Sequence, residues 1–239
     1  MYSGIGKIGI ILPANNSVLE PEIYRVIPEG VTAHFARYLT GKDTFSLDRL
    51  RSRQGFGEAA EVLGVTGVDV VVLACMASTI GRGKNWENEI VSEIKSFWNV
   101  PVTTAYSATL EALRFLGIQH VSVGTPYPPE MHALVKPFFE ADGLKVRKEK
   151  GLGITGLREV CNTPLQTAYD LALALDASDS QGICLLATDF PTIPIVEKAE
   201  SELKKPVIST NLAIIWKCLT LLQVKRRIKG CGRLLWSLT

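Results

Sequence analysis

Cys75 is the residue of this chain best placed to do chemistry. It closes the run Val70-Val71-Val72-Leu73-Ala74-Cys75-Met76-Ala77-Ser78-Thr79, in which β-branched residues give way to small and hydroxyl ones. Such a run is a buried parallel strand that stops where a helix starts. In open α/β sheets, ligands bind at the carboxyl ends of the strands. A thiol just ahead of helix-opening N–H groups has its thiolate favoured. It can then serve as proton donor, proton acceptor or nucleophile. The competing reading is a small buried hydrophobe, the commonest fate of a free cysteine.

Other reactive types are less well arranged. His34, His120 and His132 share no metal-ligand spacing; the first two are expected at strand edges and His132 on an exposed helix face. Cys161, Cys184, Cys218 and Cys231 read as core or surface thiols. Cys184 lies three residues before Ala187, an odd offset that turns it to the other face of its strand. Five scattered cysteines without a C-x-x-C argue against a zinc cage or a disulfide framework. Gly151-Leu152-Gly153-Ile154-Thr155-Gly156 matches a dinucleotide fingerprint, but a polar stretch precedes it and Pro164 interrupts the segment after it. Gly4 to Gly9 matches too, but ahead of its strand, and Gly81 to Lys84 lacks the flanking residues of a phosphate loop. Trp86, Trp98, Trp216 and Trp236 are expected to pack in the core or an interface.

Composition sets the frame. The chain has 239 residues, 46% of them apolar and 21% charged, as in soluble globular proteins with a substantial core. A net charge of +2 gives no electrostatic reason to bind nucleic acid, and Lys225 to Lys229 reads as a solvated helix end. No apolar run approaches the ~20 residues that cross a bilayer. The first residues do not read as a secretory leader. The expectation is therefore a cytoplasmic protein without nucleic-acid or membrane partners, and a homo-oligomer is compatible with the sequence.

Strands and helices alternate. Strands are expected over 7–12, 31–38, 70–75, 101–104, 120–124, 144–148, 182–186 and 206–208. Helices are expected over about 18–26, 47–63, 85–97, 107–116, 130–140, 164–175, 195–203 and 211–222, with 151–161 a loop. This alternation predicts parallel sheets covered on both faces. The two halves also repeat. Leu12-Pro13 returns as Thr125-Pro126, Leu73-Ala74-Cys75 as Leu185-Leu186-Ala187, and Pro101-Val102-Thr103-Thr104 as Pro206-Val207-Ile208-Ser209. The reading is an α/β fold of two pseudo-symmetric three-layer α/β/α halves with mainly parallel sheets and the site in the cleft between them. Residues 1–105 with 209–239 form one half and 106–208 the other. Cys75 and Ala187 are then mates on opposite walls.

At these residues the chain resembles the aspartate/glutamate racemase superfamily, in particular its maleate isomerase and arylmalonate decarboxylase branch. The resemblance rests on Leu12-Pro13-Ala14-Asn15-Asn16-Ser17, Ala74-Cys75-Met76-Ala77-Ser78, Thr125-Pro126-Tyr127, Ala187-Thr188-Asp189-Phe190-Pro191-Thr192 and Pro206 to Ala213. It implies a cofactor-free site for a small dicarboxylate, with Cys75 as the first-half catalytic cysteine. Asn16 would hold a carboxylate, Tyr127 would donate to a carboxylate oxygen, and the N–H groups of Met76, Ala77, Thr188 and Asp189 would cradle the others. Pro13, Ala14, Thr40–Phe45 and Gly153–Leu157 would shape the pocket. Two departures matter. Ala187 stands where the second-half cysteine is expected, through divergence or an introduced replacement, and the Gly153–Leu157 loop lacks the Asp-Asn pair common in isomerases.

One sulfur still permits two reactions. In the isomerase version, the Cys75 thiolate adds to a cis-enedioate, the new single bond rotates, and elimination gives the trans product. In the decarboxylase version, CO2 leaves a malonate and Cys75 protonates the enediolate. Asn16 favours the first; the missing cysteine and the altered loop favour the second. A racemase-like activity or a non-catalytic dicarboxylate binder are the further alternatives.

Overall fold

The computed structural model describes residues 2–40, 43–52 and 55–238. In chain order the elements are β1 (Gly6–Pro13), α1 (Leu19–Val26), β2 (Val31–Tyr38), α2 (Leu47–Ser52), α3 (Phe56–Val65), β3 (Val70–Leu73), α4 (Met76–Arg82), α5 (Lys84–Phe97), β4 (Val102–Thr104) and α6 (Ala105–Phe115). They continue with β5 (His120–Thr125), α7 (Pro129–His132), α8 (Val135–Glu140), β6 (Lys145–Gly151), α9 (Leu157–Cys161), α10 (Leu165–Ala174), β7 (Gly182–Leu185), α11 (Ile193–Leu203), β8 (Val207–Ser209), α12 (Thr210–Leu221) and α13 (Gly232–Trp236).

The strands form two four-stranded sheets, ordered β2-β1-β3-β4 and β6-β5-β7-β8, and every pair is parallel. The expected two-half α/β architecture is present, and the repeat extends to single hydrogen bonds. The Ala74 N–H donates to the Ile11 carbonyl at 2.7 Å, and the Leu186 N–H donates to the Gly124 carbonyl at 2.9 Å. Val71 N–H reaches Pro101 O, and Ile183 N–H reaches Pro206 O, both at 2.9 Å. Each inner strand thus leaves its sheet at an equivalent level. Leu73 pairs with Thr104, and Leu185 pairs with Ser209. Both hydroxyl residues then cap the following helix, Thr104 accepting from Ser107 N–H and Ser209 from Leu212 N–H, which satisfies donors a helix start leaves open.

Period-2 alternation decides which way the strand ends point. Val70, Val72 and Ala74 face the large core shared by both halves. Val71, Leu73 and Cys75 face a second core under α3 and α5, with Phe56, Leu63, Ile90 and Ile94. No helix among the described residues is long and apolar enough to cross a membrane.

Some expected elements are subdivided. The helix expected over 47–63 is α2 plus α3, which restarts at Gly55 with φ +119°, a conformation suited to glycine; Arg53 and Gln54 lie outside the described residues. The helix expected over 130–140 is α7 plus α8. A continuous helix would need an N–H at Pro137 to reach the Ala133 carbonyl, and proline has none. The 151–161 loop contains α9, and α13 carried no periodic signal. His132 is half-buried rather than exposed, its Nδ1 2.8 Å from the Thr125 hydroxyl.

Candidate active site

A cavity enclosing about 640 Å³ of empty space, its mouth included, opens where β1, β3, β5 and the turn after β7 converge. Its polar lining includes Asn15, Cys75, Tyr127, Thr188 and Asp189. Its apolar lining includes Phe45, Leu50, Ile154, Leu157 and Val160. Among the described residues, no Lys, Arg or His lines it.

Two sets of hydrogen bonds hold the walls in register. The Thr188 hydroxyl donates to the Ala74 carbonyl at 3.1 Å and accepts from Asn16 Nδ2 at 3.1 Å. That pair ties the residue before Cys75 to the residue after Ala187. At the mouth, residues 43–45 meet residues 155–157: Phe45 N–H donates to Thr155 O at 2.8 Å and Leu157 N–H to Asp43 O at 2.9 Å. The pocket-shaping role expected of Thr40–Phe45 and Gly153–Leu157 has a geometric counterpart in Thr40, Thr44, Phe45, Ile154, Thr155 and Leu157 on the cavity wall; Gly41 and Lys42 lie outside the described residues.

Cys75 is 5% exposed and sits on that wall. Ser78 donates its hydroxyl proton to the sulfur at 3.1 Å, and the Tyr38 hydroxyl lies 3.4 Å from Ser78 Oγ. Burial pushes the thiol up from its ordinary value. Hydrogen bonds from Ser78, Tyr38 and the Ser78 N–H pull it back, and the nearby Asp189 charge adds to the rise. The resting group is a thiol with donors ready for the thiolate. Tyr127 is likewise held protonated, by burial first and then by Asp189 and Cys75, so it remains a donor.

Pro13, Cys75, Met76, Ala77, Tyr127, Thr188 and Asp189 come together on the cavity lining. Ala14 lines a neighbouring cleft with Cys161 and Asn162. Asn16 is buried and engaged: its Oδ1 accepts from the N–H groups of Val18 and Leu19 at 3.0 Å each, capping α1. Its neighbour Asn15 lines the cavity instead, donating from Nδ2 to Asp189 Oδ2 at 3.3 Å. Ala187 is 2% exposed and adopts φ +92°, unlike Cys75 at −144°. Cys184 lies in the core, its thiol held far up by burial.

Asp189 is half-buried, and burial raises its carboxyl to about 6 against its own N–H and the Asn15 amide. Sequence reasoning assigned only its backbone. The side chain's position on the lining of the cavity it shares with Cys75 follows from the turn after Ala187, which the motif does not encode.

Two parallel sheets meeting over a cavity that carries Cys75 make this a duplicated α/β protein with a cysteine site. The chain belongs to the arylmalonate decarboxylase family, whose model matches residues 8–235. A maleate isomerase of Nocardia farcinica is 25% identical over 241 residues, covering 97% of this chain and 96% of that protein. The arylmalonate decarboxylase of Bordetella bronchiseptica is 28% identical over 171 residues, 70% of this chain and 71% of its own. A solved structure of the Nocardia farcinica maleate cis-trans isomerase, a Cys-to-Ser variant with a covalently bound succinylcysteine intermediate, superposes with TM-score 0.88 at 24% identity, covering 98% of this chain and 99% of its own.

Proposed function

We propose that the chain is a cofactor-independent enzyme for small dicarboxylates, acting as a maleate-type cis-trans isomerase with Cys75 as the bonding sulfur. The observation that carries the reading is the placement of Cys75: on the cavity wall, at the end of the inner strand, with Ser78 hydrogen-bonded to its sulfur. The full-length maleate isomerase relatives support it, as does the covalent cysteine adduct captured in one of them. Sulfur addition leaves charge on the carbon beside a carboxylate. Buried donors of the Tyr127 type are suited to meet such charge.

A second reading, decarboxylation of a substituted malonate, is favoured by two features. The cavity is walled by Phe45, Leu50, Ile154, Leu157 and Val160, which suit an apolar substituent. The resting thiol can also protonate an enediolate directly. All five cysteines are free, which supports the cytoplasm as the compartment. Proton NMR of the protein with maleate, and separately with 2-phenylmalonate, tests both readings. Fumarate signals support the isomerase, phenylacetate signals the decarboxylase, and neither product overturns both.

A further inference from the structure

The chemistry above leaves the Asp189 side chain without a role, although it shares the cavity with Cys75. Its position is set by the hydrogen bond between Thr188 Oγ and the Ala74 carbonyl, since Cys75 and Asp189 are the next residue on each wall. Among the described residues, the side chain that donates to it is Asn15, at a long 3.3 Å. Around the carboxyl stand Cys75 from the turn after β3, Tyr127 from the turn after β5 and Cys161 at the end of α9; burial pushes each of them up, and the Asp189 charge adds to the rise. Around the sulfur stand Ser78, Tyr38 and, through its charge, Arg82.

We propose that Asp189 is a second catalytic acid–base group, exchanging a proton with substrate and Cys75 from the second-half wall. The inference rests on the reading of Cys75 as the reacting sulfur. In isomerisation, sulfur bonds to one alkene carbon while its proton passes to the Asp189 carboxylate. The π pair moves onto the neighbouring carbon and its carboxylate, and the Asp189 carboxyl hands the proton to that carbon. After rotation about the single bond the carboxylate takes the proton back, the C–S pair returns to sulfur, and sulfur recovers its proton. No proton is gained or lost. In decarboxylation, CO2 leaves, Cys75 protonates the carbon, and Asp189 reprotonates the thiolate before taking one proton from water. A carboxyl that titrates near neutrality is suited to both. A dianionic ligand beside it raises its proton affinity further, because like charges disfavour ionisation.

The test compares wild type, Asp189→Asn, Cys75→Ser and the double variant Asp189→Asn/Ala187→Cys. Turnover of maleate and 2-phenylmalonate is followed between pH 5 and 9. In parallel, iodoacetamide alkylation of the Cys75 peptide is followed by mass spectrometry across pH 6 to 10. Asp189→Asn is expected to lower kcat by about 100-fold or more, to abolish the acid limb of the pH profile, and to shift Cys75 alkylation to lower pH. Ala187→Cys should restore part of the rate. A Cys75 alkylation profile unchanged by Asp189→Asn overturns the inference, whether or not the substrates turn over. An inactive Cys75→Ser beside a fully active Asp189→Asn overturns it too while leaving the function standing. A fully active Cys75→Ser overturns the function itself, and with it the inference.

Discussion

Cys75 and Ala187 each lie two residues beyond an inner strand whose last residues, Leu73 and Leu185, hold the same register, yet their backbones differ in sign of φ. The fold is duplicated down to its hydrogen bonds, and the duplication breaks at this position: Cys75 lines the cavity, whereas Ala187 is buried next in sequence to Thr188, which does line it. A non-glycine residue at φ +92° is strained, by about 1–3 kcal/mol. Glycine would relieve that strain but lose about 0.4–1 kcal/mol through greater freedom of the unfolded chain. Ala187→Gly is therefore expected to be neutral or stabilising by up to ~2 kcal/mol in urea unfolding; a loss beyond 1 kcal/mol would mean the turn carries no strain.

Replacing Cys75 removes the one thiol on the cavity wall among the described residues. Cys75→Ser is nearly isosteric, and the expected result is a folded protein with turnover reduced by about 10² to 10⁴. Circular dichroism and the NMR assay check both parts together. Ala187→Cys alone keeps the same Cβ and places a second sulfur next to Thr188. It should raise isomerase activity or introduce deuterium exchange beside a carboxylate.

Ser78→Ala isolates what tunes the thiol. The serine donates to sulfur at 3.1 Å, a bond that favours the thiolate. Without it, Cys75 should titrate higher and react more slowly with iodoacetamide at pH 8, by several-fold, with Cys161 labelling unchanged.

Most of the fold was legible because it rests on local signals. Continuous Val and Leu runs mark the inner strands, Pro101 and Pro206 mark the short ones after them, and the repeat joins them into two sheets. The positions at which helices subdivide were less legible: Gly55 reads as an ordinary glycine until the backbone shows φ +119°. The site divided in the same way. Cys75, Tyr127 and the Thr188-Asp189 pair could be found because strand ends have a fixed place in such sheets. Asn15 and Asn16 could not be told apart by pattern, since a turn has no period. A cap signal was nevertheless present, as an Asn just ahead of a helix tends to turn back on its backbone, and Asn16 does so.

Glu22 shows how the halves are fastened away from the cavity. This buried residue of α1 accepts from the N–H groups of Thr192 and Ile193 at the start of α11, 2.9 Å each, and from Asn211 Nδ2 at 2.7 Å. Burial raises its carboxyl, and these three donors oppose the rise. Glu22→Ala would leave three buried donors without their acceptor, at about 1–3 kcal/mol for each left unsatisfied. The expected loss is ~3 kcal/mol or more in urea unfolding, with Cys75 alkylation in the folded protein largely preserved; a loss below 1 kcal/mol would show that the clip is dispensable.

Asp189 should link stability to pH in a direction opposite to that of a salt-bridged carboxylate. Its folded value of about 6 lies above the ~3.9 of an unfolded aspartate, so the folded state binds the proton more tightly. Below pH ~4 both states are protonated and Asp189 costs nothing. As pH rises from ~4 to 6 the unfolded chain ionises first, and the folded protein loses about 1.4 kcal/mol per pH unit from this group. Above pH 6 the full penalty, on the order of 2–3 kcal/mol, is present. Asp189→Asn should accordingly stabilise the protein at pH 7.5 by up to that amount and confer no gain at pH 3.5. Urea unfolding at the two pH values measures the difference. The pairing of greater stability with lost turnover is what a catalytic role for this half-buried carboxyl predicts, and a variant that is destabilised at pH 7.5 would show that the carboxylate is held by partners rather than kept against its preference.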